Sequence, residues 1–201
     1  MSVFEKACAD AGLTAWVTEL TALVAAAQVR TNLVGDASLA GVQAHVAEAL
    51  TVAALALEVL GKIPQQVVDI GAGAGLEALT LAKLWPQARV VAVEPRKLRA
   101  AFIHETAGAL GLGNVETVAK SLFSASLNAE FDVATARAVW PVPQWPDQAR
   151  GVLRPGGLAM AHVHGPADTL AGRLDVPGWQ LVGARDVPGD KGYAVAALRV
   201  R

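Results

Sequence analysis

Three glycines at alternate positions, Gly71, Gly73 and Gly75, follow an apolar run with an acid two residues before the first of them, Val67-Val68-Asp69-Ile70. A Val/Ile run reads as a buried strand, the glycines permit a tight turn and close backbone approach to a ligand, and Leu76-Glu77-Ala78-Leu79-Thr80-Leu81-Ala82 reads as a helix. Free N–H groups at such a loop, with the positive end of a helix beside them, suit a nucleotide-like or polar ligand. The dinucleotide fingerprint has glycines first, third and sixth; here they stand first, third and fifth, which argues against a pyrophosphate site. A second acid, Glu94, closes the next apolar run, Arg89-Val90-Val91-Ala92-Val93.

Other residues have the types for recognition. Arg137 follows the strand Phe131–Thr135 at its C-terminal end, the edge where ligands of open α/β sheets bind, and a cation there can engage a phosphate or orient a base. His45 lies on an otherwise apolar helix, as a substrate contact or a packing residue. His162 and His164 have strand spacing and point to one face, but with no cysteine or acid in ligand spacing they predict no metal site. Arg96, Lys97 and Arg99 form a dense basic cluster at a helix start, against the local dipole, which reads as a phosphate-contacting patch or a solvated face. Trp140 and Trp145, on the proline-rich stretch after Arg137, are stacking platforms or packing anchors.

The elements that must hold these groups come in two styles. The first ~60 residues read as helical, from apolar spacing at Trp16, Leu20, Leu23, Val24 and Ala27, with a break at residues 30–36 and a second helix from near Leu39 to Val59, ended by Gly61 and Pro64. From Gln66, strands alternate with helices: Val67–Ile70, Leu76–Trp85, Arg89–Val93, Lys97–Leu110, Val115–Ala119 and Phe131–Thr135. A helix near Asp147–Val152 follows, ended by Arg154-Pro155-Gly156-Gly157, then a strand Leu158–His162. Alternation of this kind requires a parallel sheet with helices on both faces. The last two strands, near Gln180–Val187 and Ala194–Val200, are joined by Pro188-Gly189-Asp190-Lys191-Gly192, too short for a crossover, so one strand at or near an edge is reversed. Residues 1–64 are expected as a helical cap on the same domain as the core, 65–201.

Across 201 residues the formal charge is −1, so no global basic field draws nucleic acid and any such contact must be local. The single cysteine, Cys8, excludes an intramolecular disulfide or a cysteine-based zinc site and reads as a packing residue. The N-terminus lacks a leader-like apolar core and no charge-free run reaches spanning length, which predicts a cytoplasmic protein without membrane contact, read here as a monomer.

The glycine loop with its preceding acid resembles motif I of the class I S-adenosylmethionine-dependent methyltransferases, whose Rossmann-like, doubly wound, mostly parallel α/β sheet with a terminal antiparallel strand is the architecture read above. The resemblance narrows to the bacterial RsmG (GidB) family, methyltransferases of guanine N7 in 16S rRNA. Between Arg30 and Gly165 the family's segments are matched in order by Asn32-Leu33, by Ala44-His45-Val46-Ala47-Glu48-Ala49, by Gly71 to Leu76, and by Glu94-Pro95-Arg96-Lys97-Leu98-Arg99-Ala100-Ala101-Phe102-Ile103. Leu110-Gly111-Leu112-Gly113-Asn114-Val115 and Phe131-Asp132-Val133-Ala134-Thr135-Ala136-Arg137-Ala138 complete the series.

The resemblance implies S-adenosylmethionine as cofactor, with Gly71, Gly73, Gly75 and Leu76 along its methionine part, Glu94 on its ribose, Leu122 and Phe123 flanking its adenine and Arg137 at its site. Asp69 is expected to accept from loop N–H groups or the ligand's ammonium, and Phe123 reads equally as core. The implied partner is 16S rRNA or the small ribosomal subunit, met by Arg96, Lys97, Arg99 and His164. The chain departs from the family at Ala44, Glu48 and Ala49, at Glu77-Ala78 where the family has Pro-Gly, at Ser121-Leu122-Phe123 where it has Arg-x-Glu, and at His164-Gly165 where it has Lys-Gly. These losses keep open a small-molecule methyltransferase of the same fold, or a homologue that binds cofactor or rRNA without catalysis.

Overall fold

The computed structural model of the chain describes residues 1–172, 174–189 and 192–201. Three helices come first, α1 (Val3–Asp10), α2 (Thr14–Thr31) and α3 (Leu39–Leu60). The break between α1 and α2, which helical periodicity does not reveal, falls at Gly12, where φ is +69°. Ser2 and Glu5 form a reciprocal capping box on α1, Ser38 caps α3, and Gly61 ends α3 in the left-handed conformation.

From Gln66 the chain alternates: β1 (Gln66–Ile70), α4 (Leu76–Leu84), β2 (Arg89–Val93), α5 (Lys97–Ala109), β3 (Val115–Val118), a 3₁₀ turn (Leu122–Ser124), β4 (Phe131–Ala136), α6 (Trp145–Ala149) and β5 (Leu153–His164). A 3₁₀ segment (Ala167–Gly172) then leads to β6 (Trp179–Asp186) and β7 (Tyr193–Val200). The sheet order is β3-β2-β1-β4-β5-β7-β6. β1 to β5 pair in parallel, while β7 is antiparallel to both β5 and β6, so the reversed strand is one in from the edge. Asp190 and Lys191, in the predicted turn between the last two strands, lie outside the described residues.

Strand side chains alternate between two apolar layers. Val67, Val90, Ala92, Val133, Leu158 and Met160 face the layer built with α1 to α5, and Val68, Val91, Val93, Ala134 and Ala159 face the layer that holds Trp145, Leu170 and Trp179. α3 is 22 residues long and apolar enough by composition to cross a membrane, yet 56% of the window that meets this test is buried inside the protein. Its apolarity packs against α1, α2, α4, β6 and β7.

Arg154-Pro155-Gly156-Gly157 does not stop a helix. It forms the start of β5, where the register with β4 shifts between Phe131 and Val133. A bulge admits a proline and two glycines into a strand. A Cβ at Gly157 would stand 2.8 Å from the Phe131 carbonyl, so the small residue is a packing requirement there.

Because β2 and β3 lie on one side of β1, and β4 and β5 on the other, the strand order reverses between β1 and β4. Their carboxyl ends leave a crevice at that switch point.

Candidate functional site

A cleft of about 690 Å³ opens there, lined by the loop after β1, the end of β2, the 3₁₀ turn after β3, the segment after β4 and, across from them, α3 and residues 33–35. Residues 33–34 are fixed from α2: the Gln28 side chain accepts from the N–H of Leu33 (2.8 Å) and Val34 (3.1 Å) and donates to the Val34 carbonyl (2.7 Å).

The glycine loop explains its own composition. Gly71, Gly73 and Gly75 have φ of +73°, +60° and +72°, a region that disfavours side chains. A Cβ on Gly71 would collide with Val139, and one on Gly75 would stand 2.7 Å from Cγ1 of Ile103. Nothing approaches a Cβ at Gly73 closer than 3.9 Å, so this glycine keeps space in the cleft clear. The N–H groups of Gly71 and Ala72 both donate to the Val93 carbonyl, at 2.8 and 3.0 Å.

Glu94 is 2% exposed, and each oxygen takes one backbone donor, Gly73 N–H at 2.9 Å and Arg96 N–H at 2.9 Å. A carboxylate has about four acceptor sites, so each oxygen keeps capacity for one further donor. The loop donor expected on Asp69 is therefore on Glu94. Asp69, 3% exposed, lies near the Ala78 N–H in the first turn of α4. Burial pushes its carboxyl well above the ordinary range, Glu77 and Glu94 add to the shift, and the Ala78 N–H and Arg137 oppose it.

Glu77, noted in the sequence only as a departure from the family, lines the cleft. One oxygen accepts the Thr135 hydroxyl and the other lies 2.9 Å from Nε2 of His162, whose side chain is 1% exposed. Burial alone would raise the pKa of Glu77, but the His162 charge and hydrogen bond, Thr135 and Arg137 outweigh it and lower it. Burial alone would depress His162, and the charge and hydrogen bond of Glu77 reverse that and raise it. His162 and His164 do share a face, where both meet the Tyr193 ring, at 6.2 and 4.8 Å between centroids. His164 is exposed and, with Lys97, does not line the cleft.

Arg137 and His45 meet across the cleft. Nε of Arg137 lies 2.9 Å from Glu48, Nη1 contacts Nδ1 of His45, and Glu48 is 3.8 Å from the same imidazole nitrogen. Of the basic cluster, Arg96 and Arg99 line the cleft, and Arg99 donates to the Asn32 carbonyl at 2.7 Å. Leu76, Ser121, Leu122 and Phe123 line it too. Phe123 is 78% exposed, which removes its reading as core. Trp145 is a packing anchor, buried with its N–H on the Met160 carbonyl at 2.8 Å. Trp140 stacks on it at 5.7 Å and lines the cleft. Cys8 is buried in the first apolar layer, as expected of a packing residue.

The family model GidB, rRNA small subunit methyltransferase G, matches residues 15–167. Over 142 residues, 67% of this chain and 63% of the relative, the chain is 34% identical to ribosomal RNA small subunit methyltransferase G of Acidothermus cellulolyticus. It is 41% identical over 99 residues to the protein of that name from Mycobacterium leprae, covering 48% of this chain and 40% of the relative. The chain thus spans less than two thirds of the length of either relative. In fold it is similar to a SAM-dependent methyltransferase from Aquifex aeolicus, with a TM-score of 0.53 and 18% identity over 72% of this chain and 89% of that one. It is likewise similar to M. jannaschii TYW2 in complex with AdoMet, with a TM-score of 0.54 and 19% identity over 68% and 69%. By the family match over residues 15–167, the chain belongs to the GidB family, rRNA small subunit methyltransferase G.

Proposed function

We propose that the cleft binds S-adenosylmethionine and that the protein is a cytoplasmic methyltransferase acting on N7 of a guanine in 16S rRNA, met as RNA or in the small ribosomal subunit. The observation that carries the cofactor is the donor set at Glu94: a buried carboxylate fixed through both oxygens, each with capacity for one of two vicinal ribose hydroxyls, beside a glycine whose missing side chain keeps the cleft clear. Family membership supports the RNA substrate.

S-adenosylmethionine supplies an electrophilic methyl group on a sulfonium. The chain's part is to hold and align. Glu94 accepts the ribose hydroxyls, the loop 71–75 lies along the methionine part with Leu76, Asp69 faces its ammonium, and Leu122 and Phe123 flank the adenine. Guanine N7 carries an in-plane lone pair and has no proton to lose, so no general base is needed and alignment is the main source of rate. Arg137, steadied by Glu48 and His45, stands at the carboxyl end of β4 to orient the incoming base, and the exposed Arg96 and Lys97 meet phosphate. Trp140 offers a ring at the cleft wall for base stacking.

The test is transfer of labelled methyl to undermethylated small subunits and to their naked RNA, alongside calorimetric binding of the cofactor. Label on a guanine N7, lost in Arg137→Ala, supports the reading. Cofactor binding without label in either RNA overturns the RNA substrate and leaves a small-molecule or non-catalytic role.

A further inference from the structure

Glu77 has no part in that alignment, yet three elements converge on it. It stands in the first turn of α4, its side chain 10% exposed, with Thr135 of β4 on one oxygen and His162 of β5 on the other. Thr135 is also the register partner of Asp69 on β1, so two carboxylates share one corner of the cleft. Asp69 and Glu94 face that corner from β1 and the end of β2, Arg137 and Glu48 face it from the β4 segment and α3, and Tyr193 of β7 lies behind His162. Glu77 lines the cleft and His162 does not: its side chain is 1% exposed against 10% for Glu77, so the carboxylate is the charge that a ligand in the cleft meets.

We propose that Glu77, oriented by Thr135 and His162, is a charge-selectivity residue of the cleft, favouring the positively charged sulfonium cofactor over the uncharged thioether left after methyl transfer. The inference rests on the S-adenosylmethionine reading. The two ligands share ribose, adenine and amino-acid groups and differ by one methyl and one positive charge. Contacts at Glu94, the glycine loop and the adenine end act on both alike. A fixed carboxylate at the loop's far end acts on the charge that differs.

The experiment is calorimetric titration of the wild type, Glu77→Gln and His162→Gln with S-adenosylmethionine and with S-adenosylhomocysteine. Glu77→Gln keeps the shape and removes the charge, so it should lower the ratio of the two affinities about three- to tenfold while S-adenosylhomocysteine binding stays within about twofold. His162→Gln keeps the carboxylate and takes away any positive charge opposing it, so it should lower the thermal midpoint and leave the ratio unchanged or higher, never lower. The double substitution leaves no lone buried charge and must show the same fall in ratio, which covers a Glu77→Gln that fails to fold. Equal weakening of both ligands, or an unchanged ratio, overturns the proposal and makes the pair structural. A wild type that binds neither ligand overturns the cofactor reading itself, and the selectivity with it.

Discussion

The two walls of the cleft are built from different interactions. On the side of β1 and β2, backbone N–H groups meet the Val93 carbonyl and the Glu94 carboxylate, and three positive-φ glycines set the path. On the side of β4 and β5, side chains hold side chains: Arg137 with Glu48 and His45, and Glu77 with Thr135 and His162. A backbone-built wall is set by local geometry and tolerates no side chain where the chain must turn. A side-chain-built wall can be changed one residue at a time and responds to pH.

The sharpest way to break the contrast is Gly73→Asp. Its side chain would enter open cleft space, so cofactor affinity should fall more than about 100-fold by calorimetry, while stability drops by only the ~1–2 kcal/mol of a strained φ. Gly75→Ala, which meets Ile103, should instead cost about 2–4 kcal/mol in urea melts. On the opposite wall, Arg137→Ala should reduce the methylation rate about tenfold or more and change cofactor affinity less than about threefold. Equal effects on both would place Arg137 on the cofactor alone.

The pH response sharpens the difference further. The raised pKa of His162 means that its stabilising contribution is full below the unfolded value of about 6.5 and is lost as pH rises through the folded value. The lowered pKa of Glu77 means that its contribution is full above about 4.5 and is lost as pH falls through the folded value. His162→Gln should therefore cost most near pH 5.5, about 2 kcal/mol, and progressively less in alkaline buffer. Asp69 has the opposite sign for a carboxylate: its ionisation opposes folding as pH rises from its unfolded value through the raised folded one. Asp69→Asn should gain about 1 kcal/mol at pH 8, gain nothing near pH 3, and bind cofactor more weakly. A variant no more stable at pH 8 would mean that Asp69 ionises freely.

This division also explains what could be read before the fold was known. The strand, glycine loop and helix around residue 71 are local in sequence and legible from spacing, and Glu94 ends the very next strand, where the family resemblance puts an acid. The pairs on the other wall join residues 58 or more apart, as with Glu77 and Thr135, Glu77 and His162 or His45 and Arg137, and no periodicity encodes them. Glu77 looked like a loss because its partner His162 lies three elements of sheet and helix beyond β3. Pro155 and Gly156 looked like a helix stop because a bulged strand start uses the same residue types. Phe123 was ambiguous because aromatic character does not report exposure.

The position of β7 carries a consequence for biosynthesis. It follows β6 in the sequence, yet it lies between β5 and β6 in the sheet. When β6 leaves the ribosome, the strand that joins it to the sheet has not been made, and the outer edge of β5 stands unpaired. At elongation rates of about 5–20 residues per second the interval between the end of β5 and the end of β7 lasts roughly 2–7 s. Through that interval the nascent protein presents an apolar strand edge, with His162 uncovered by Tyr193, and edges of this kind invite pairing with other chains. Slow translation between residues 165 and 200 would lengthen that window, which makes the codons there a determinant of soluble yield.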